Sequence, residues 1–178
     1  MENRYAGVSV LSWAQLQGES VEATAKVNGT FTLSDGSKVQ LVQGARLSLP
    51  RWAVKELGSK LEIGATGLKT KDVALSAWME ENDPKTLKDL DPLFYARACY
   101  QLSGGEEKEL RAALSELLSL RKRKIMEAAM SGRDDPRFYS AMTAEEKRFY
   151  DDLKGCVEEW QDFLVRVLSG LPPIEGKG

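Results

Sequence analysis

The sequence predicts an α+β protein, with a small N-terminal β module followed by a mainly α-helical bundle domain that contains two long helices. Val21 to Val27 alternates apolar and polar residues, as a strand with one buried face does. Ser34 to Ser37, with Asp35 before Gly36, is typical of a hairpin loop. Glu106 to Met130 contains neither Gly nor Pro, and its apolar residues recur at helical spacing.

Residues 1–68 are predicted to form the β module. Four or five short strands are expected, because a short apolar segment at 5–11 and apolar or alternating runs at 21–27, 30–33, 38–42 and 46–49 are separated by turn residues. Residues 61–63 are expected to add a last strand. A short helix is expected at 50–57, because Pro50 suits its first position and Gly58 follows its end. The stretch from Gly64 to Thr70 is predicted to be a linker, since its glycines lack the spacing of a phosphate-binding loop.

Residues 69–170 are predicted to form the helical domain, and residues 171–178 a flexible tail. Helices are expected at 70–81, 92–102, 106–130 and 143–168, with brief helical turns after Asp83 and Asp135. Thr143 to Glu146 has the pattern of a capping box, which predicts where the last helix begins.

One residue of the long helix interrupts its apolar stripe. Arg121 lies four residues from both Leu117 and Ile125, so it falls on the face that should be buried. A lone buried charge is costly. We therefore expect a carboxylate partner for Arg121 from a packed neighbour, in this chain or in another subunit.

The wide apolar faces of the long helices are compatible either with a hydrophobic core within this chain or with a surface between subunits. The candidate subunit-interface residues are Leu114, Leu117, Leu118, Arg121, Ile125, Phe149, Leu153, Trp160, Phe163 and Leu164. Lys122, Arg123 and Lys124 are candidate DNA or phosphate contacts, although cations near a helix C-terminus also suit the helix dipole.

The composition excludes several kinds of active site. The chain of 178 residues has no histidine and 2 cysteines, so Ser–His–Asp and Cys–His systems and nearly every zinc motif are excluded. No catalytic, cofactor-binding or metal-binding residue is therefore predicted. An enzyme that works through carboxylates or lysine in a cleft between the modules stays open as an alternative.

Charge and hydropathy limit the kinds of partner that the sequence predicts. The net charge of −2 gives no global basic field of the kind that drives non-specific nucleic-acid binding. The sequence has neither a signal-peptide core nor an apolar run of membrane-spanning length. We therefore expect a cytoplasmic protein with no membrane contact.

The order of the parts resembles a known family. Residues 47–53, LSLPRWA, lead from the β module into a helical domain that holds LRKRKI at 120–125 and TAEEKRFY at 143–150. The module junction of Leu49, Pro50 and Trp52 resembles a leucine–proline–leucine–tryptophan signature in GINS complex subunits, in the branch that places the β module first. Arg51 departs from the pattern, because the family usually has an apolar residue there.

The resemblance implies a non-catalytic scaffold subunit of the GINS DNA-replication complex, of archaeal type, which joins and stabilises the MCM replicative helicase assembly. Its partners would be a GINS subunit of the opposite domain order, in a two-plus-two heterotetramer, the MCM helicase and a RecJ-like replisome subunit. No cofactor is implied. The location would be nucleoid-associated, or nuclear if the source is eukaryotic.

A small nucleic-acid-binding module is the main alternative function. It would use the β part as a minimal barrel and Lys122 to Lys124 as phosphate contacts. The strands lack the interleaved aromatic and basic residues that such modules use to stack bases, which disfavours this alternative.

Overall fold

A computed structural model of the chain describes residues 6–64, 67–103, 105 and 107–171. A small sheet region precedes a helical region, which confirms the predicted α+β class. The strands are β1 (Ser20–Ala25), β2 (Gly29–Thr32), β3 (Lys38–Leu41), β4 (Arg46–Pro50) and β5 (Leu61–Ile63). The helices are α1 (Ala6–Gly18), α2 (Arg51–Leu57), α3 (Thr70–Asn82), α4 (Phe94–Leu102), α5 (Lys108–Met130), α6 (Pro136–Ser140) and α7 (Ala144–Leu168).

Parts of four predictions lie outside the described residues. These parts are Tyr5 in the apolar segment at 5–11, Ala65 and Thr66 in the linker, Glu106 at the start of the long helix, and 172–178 in the tail.

The described residues fall into two compact units. The first is drawn from Met1–Lys69 and Leu93–Glu106, and the second from Thr70–Pro92 and Glu107–Gly178. Helix α4 therefore belongs to the first unit, although the sequence groups it with the helical domain. The predicted domain boundaries at 68 and 170 stay a prediction.

The sheet of the first unit is organised around β1. Strand β1 pairs antiparallel with β4 on one side and with β5 on the other. Its alternating pattern buries Val21, Ala23 and Ala25, as predicted for a strand with one covered face. Leu57 and Val54 of α2 complete the same apolar core, which stabilises the small sheet by removing its inner face from water.

The predicted hairpin is confirmed as β2 paired with β3. Gly36 has a φ of +84°, a backbone conformation that favours glycine. The Asp35 carboxylate accepts hydrogen bonds from the hydroxyl of Ser37 (2.7 Å) and from its backbone N–H (2.9 Å), which together lower the pKa of Asp35. The turn residues thus satisfy one another and fix the register of the two strands.

The β structure predicted for the start of the chain is wrong, because the described part of the apolar segment at 5–11 belongs to helix α1. Its valines favour a strand when they are considered locally. In the structure Leu16 is buried with Leu93, which immediately precedes α4, and with Ala96 of α4. Trp13 contacts Tyr100 at a ring-centroid distance of 6.1 Å. Packing against α4 therefore overrides the local preference.

Arg121 lies at the centre of the second unit and is fully buried, with 0% of its surface exposed. Its Nε and Nη2 donate to the two carboxylate oxygens of Glu146, each at 2.7 Å. Its Nη1 donates to Glu80 Oε1 at 2.6 Å and to the carbonyl of Lys88 at 2.7 Å. The expected carboxylate partners are confirmed, and both come from this chain.

Lys124 makes the buried network electrically neutral. Its ammonium pairs with the second oxygen of Glu80 and donates to the carbonyls of Asp83 and Thr86, both at 2.8 Å. Two cations therefore face two carboxylates, Glu80 and Glu146. Such pairing is needed for buried charges, because an uncompensated one carries a large desolvation penalty.

Burial acts to lower the pKa of Arg121, but the hydrogen bonds and charges of Glu146 and then Glu80 outweigh it and raise the pKa above its usual value. The guanidinium therefore stays charged under all ordinary conditions. Glu146 also accepts from the backbone N–H of Thr143 at 3.0 Å, which closes the predicted capping box of α7.

Replacing Arg121 with Met should lower the free energy of unfolding by about 3 kcal/mol or more, because Glu146 would lose its cation and Glu80 would keep only Lys124. Urea unfolding followed by circular dichroism measures the change. Arg123→Met is the matched control, since Arg123 is exposed on the same helix and should change stability by no more than ~0.5 kcal/mol. Equal midpoints for the two variants would contradict the central role of this network.

Asp83 should make stability depend on acid pH. Hydrogen bonds from the Thr86 hydroxyl and then Lys88 Nζ lower the pKa of Asp83 to about 2, against about 3.9 in an unfolded chain. Its ionised form therefore stabilises the fold above pH ~4, and this contribution is lost as the pH falls towards 2. The urea midpoint should fall over this range by less in Asp83→Asn than in the unchanged protein, and parallel pH profiles would refute the assignment.

Candidate functional site

The interface candidates on α5 are mostly buried by the chain itself. Leu114, Leu117, Arg121 and Ile125 each have no more than 3% of their surface exposed. Helices α3 and α7 pack against α5 in the second unit and cover this stripe. These four side chains are therefore part of the chain's own core, which corrects their assignment to a subunit surface.

Three further candidates are half-buried: Leu118, Phe149 and Leu153. Phe149 and Leu153 pack against a buried apolar cluster that includes Ile125 and Phe138. They mark the part of α7 that contributes to the core of the second unit. Their role at a subunit interface stays a prediction.

The remaining candidates lie on a large exposed apolar face at the C-terminal end of α7, which we call the distal face. Its exposed fractions run from 40% for Phe163 and Leu164 to 86% for Leu168. Trp160 stacks on Phe163 with a ring-centroid distance of 5.3 Å. The distal face consists of Trp160, Phe163, Leu164, Val167, Leu168 and Leu171.

The distal face sits on a helix whose two ends are well defined. The capping box of Thr143 and Glu146 starts α7. Gly170, with a φ of +66°, ends it, and the N–H of Leu171 donates back to the carbonyl of Arg166 at 3.0 Å. The exposed half is thus the continuation of a single 25-residue helix whose first half is anchored in the core.

A second exposed apolar face lies on α3 and was missed in the sequence. The sequence pattern places Trp78 on the buried stripe with Val73 and Ala77, but 60% of Trp78 is exposed. Leu75 and Met79 are exposed beside it, on the side of α3 opposite Val73 and Ala77. Their spacing of three and four residues is a helical pattern that a search for two stripes on one helix would have detected.

The three candidate phosphate contacts do not act together. Lys122 and Arg123 are exposed on α5, but Lys124 is buried and paired with Glu80, so its assignment to DNA or phosphate is wrong. Helical geometry explains the difference, because position 124 lies on the same side of α5 as Arg121. The contact of Lys122 and Arg123 with a phosphate stays a prediction.

The module-junction residues support the core of the first unit. Leu49 and Trp52 pack against the core beneath the sheet, and Pro50 is the last residue of β4 rather than the first of α2. Arg51, which departs from the family pattern, is buried. Its guanidinium lies 3.6 Å from the Glu19 carboxylate and 5.1 Å from the centre of the Tyr100 ring, which gives the charge a partner within this unit.

Neither a metal site nor a membrane span is found in the part of the chain that the structure describes. No cluster of Cys, Asp and Glu side chains there could hold a metal ion. None of the described helices is long and apolar enough to cross a membrane.

Comparison with known proteins identifies the family but leaves its branch open. No curated protein sequence matches the chain. A family model for the GINS complex protein helical bundle domain matches residues 69–162, a range that runs from the start of α3 into the distal face. Archaeal type and β-first branch stay predictions. Because the match covers more than half of the sequence, the chain belongs to the GINS complex protein family.

Proposed function

We propose that the chain is a scaffold subunit of a GINS complex and that the distal face of α7 is where another subunit docks. Membership of the family makes it a subunit of a DNA-replication complex that partners with other GINS subunits, in a family of structural, non-catalytic proteins. The observation that carries the proposal is the exposure of Trp160, Phe163, Leu164 and Leu168 on one side of a well-anchored helix.

The area of the distal face suits a stable protein–protein contact. Taking ~150–250 Å² for a whole side chain of this size, the exposed fractions leave roughly 600 Å² of apolar surface on the six residues. A standard interface removes about 800 Å² from each partner, of which the apolar centre is the larger part. A patch of this size lies at the upper end of the ~300–600 Å² that the largest apolar patch of a monomeric protein covers, and such patches are often functional.

The finer assignments rest on the resemblance of the sequence. We propose that the partner is a GINS subunit of the opposite domain order and that the assembly is an archaeal two-plus-two heterotetramer. In that assembly the complex would join and stabilise the MCM helicase and contact a RecJ-like subunit. A scaffold does this by binding one state of the motor more tightly than the others, which shifts the population towards that state.

Co-expression of the chain with the GINS subunit of opposite domain order from the same organism should give a stable complex of equal stoichiometry, measured by light scattering. Trp160→Glu should abolish or strongly weaken this complex, because it places a charge at the centre of an apolar contact. Asp162→Lys is the matched control, since it changes charge on the other side of the same helical turn. A folded chain that ignores the partner would overturn the proposal.

The purified two-subunit complex should bind the MCM helicase of the same organism, whereas the chain with Trp160→Glu should fail to bring its partner into that complex. Analytical gel filtration of the three proteins together measures this association. An MCM assembly that recruits the partner equally well with the unchanged chain, with the variant and with neither would contradict a scaffold role for this chain.

A further inference from the structure

The apolar pattern of α7 continues without a break from the core into the distal face. Tyr150, Leu153, Val157, Trp160, Leu164 and Val167 follow one another at alternating spacings of three and four residues. Tyr150 and Leu153 pack in the core of the second unit, whereas Trp160, Leu164 and Val167 are exposed. The exposed part therefore continues a face that already packs against helices.

Contacts along α7 move towards the C-terminal end of α5. Glu146 meets Arg121, and one turn later the hydroxyl of Tyr150 donates to the carbonyl of Arg133, beyond the end of α5. Leu153 packs with the cluster that holds Ala129 near the same end. The distal face is uncovered because α7 extends past the residues of α5 that cover its first half.

The distal face is wider than a single line of contacts. Phe163 flanks the Trp160–Leu164–Val167 line on one side, and Leu168 flanks it on the other. At 100° per residue the helical residues of the distal face span about 140° of the helix circumference, and the exposed Val165 lies beyond Leu168. Asp162 lies on the opposite side, where a soluble helix carries its charges.

The width determines what can cover the face. Two helices that pack along a narrow line bury the residues of that line and leave both flanks in water. A helix in a bundle, in contrast, carries a stripe wider than 100° because two neighbouring helices cover it. A strand edge does not suit the face, since the backbone donors of α7 are already used within the helix.

We propose that the distal face inserts into a groove between two helices of the partner GINS subunit, so that Phe163 and Leu168 contact different partner helices. This inference rests on the proposed function, because it specifies the occupant of the same surface. The partner's groove should be apolar along about two turns of helix, the length from Trp160 to Leu168.

Four single variants test the groove: Trp160→Glu at the centre, Phe163→Glu and Leu168→Glu on the flanks, and Asp162→Lys on the opposite side. Each is titrated with the purified partner subunit of opposite domain order, and binding is measured by fluorescence anisotropy of a labelled partner. Circular dichroism confirms that each variant keeps its helix content, as expected for exposed positions. The central and both flank variants should each weaken binding by roughly 30-fold or more, and the control should change it little.

The outcomes separate the two proposals. If the central variant and only one flank variant weaken binding, a single helix covers the face and the groove is refuted, while the proposed function stands. If the central variant binds as well as the unchanged chain, or the unchanged chain does not bind, the distal face is not the docking surface and both proposals fail.

Discussion

The neutral ion network around Arg121 is the interaction on which the second unit depends. One guanidinium joins α3 through Glu80, the following segment through the carbonyl of Lys88, and α7 through Glu146. A buried network of this kind is stable only when all its members are present, because each missing partner leaves a charge that water cannot reach. The apolar stripes bring these helices together, and the network joins them at three defined groups.

Glu146 links the buried ion network to the position of the distal face on α7. It closes the capping box with Thr143 and also holds Arg121 with both of its oxygens, so the first turn of α7 has one position relative to α5. Because α7 continues unbroken, Trp160 lies about 20 Å along the same rigid axis. The direction of the distal face is therefore determined in the core, by the buried side chain of Glu146.

The sequence predicts those features that depend on neighbouring residues. The alternation of β1, the Asp35–Gly36 turn, the capping box and the need of Arg121 for carboxylates all follow from local patterns and the cost of a buried charge. Helix α1 does not, since its valines favour a strand and only the packing of Leu16 against α4 decides otherwise. The sequence also does not predict that Glu80 and Glu146 are the partners of Arg121, because they lie 41 and 25 residues away from it.

The sequence of α7 does not predict which part of the helix lies in the core and which part is exposed for docking. Leu153 and Leu164 have the same residue type and belong to one repeating pattern, yet the first packs against the core and the second is exposed. Residue type alone does not distinguish them. The difference arises because α5 ends at Met130 while α7 continues past it, so the length of one helix determines which residues of another are left for a partner. An apolar stripe longer than its intrachain neighbour is therefore a better guide to a subunit surface than the residue types within the stripe.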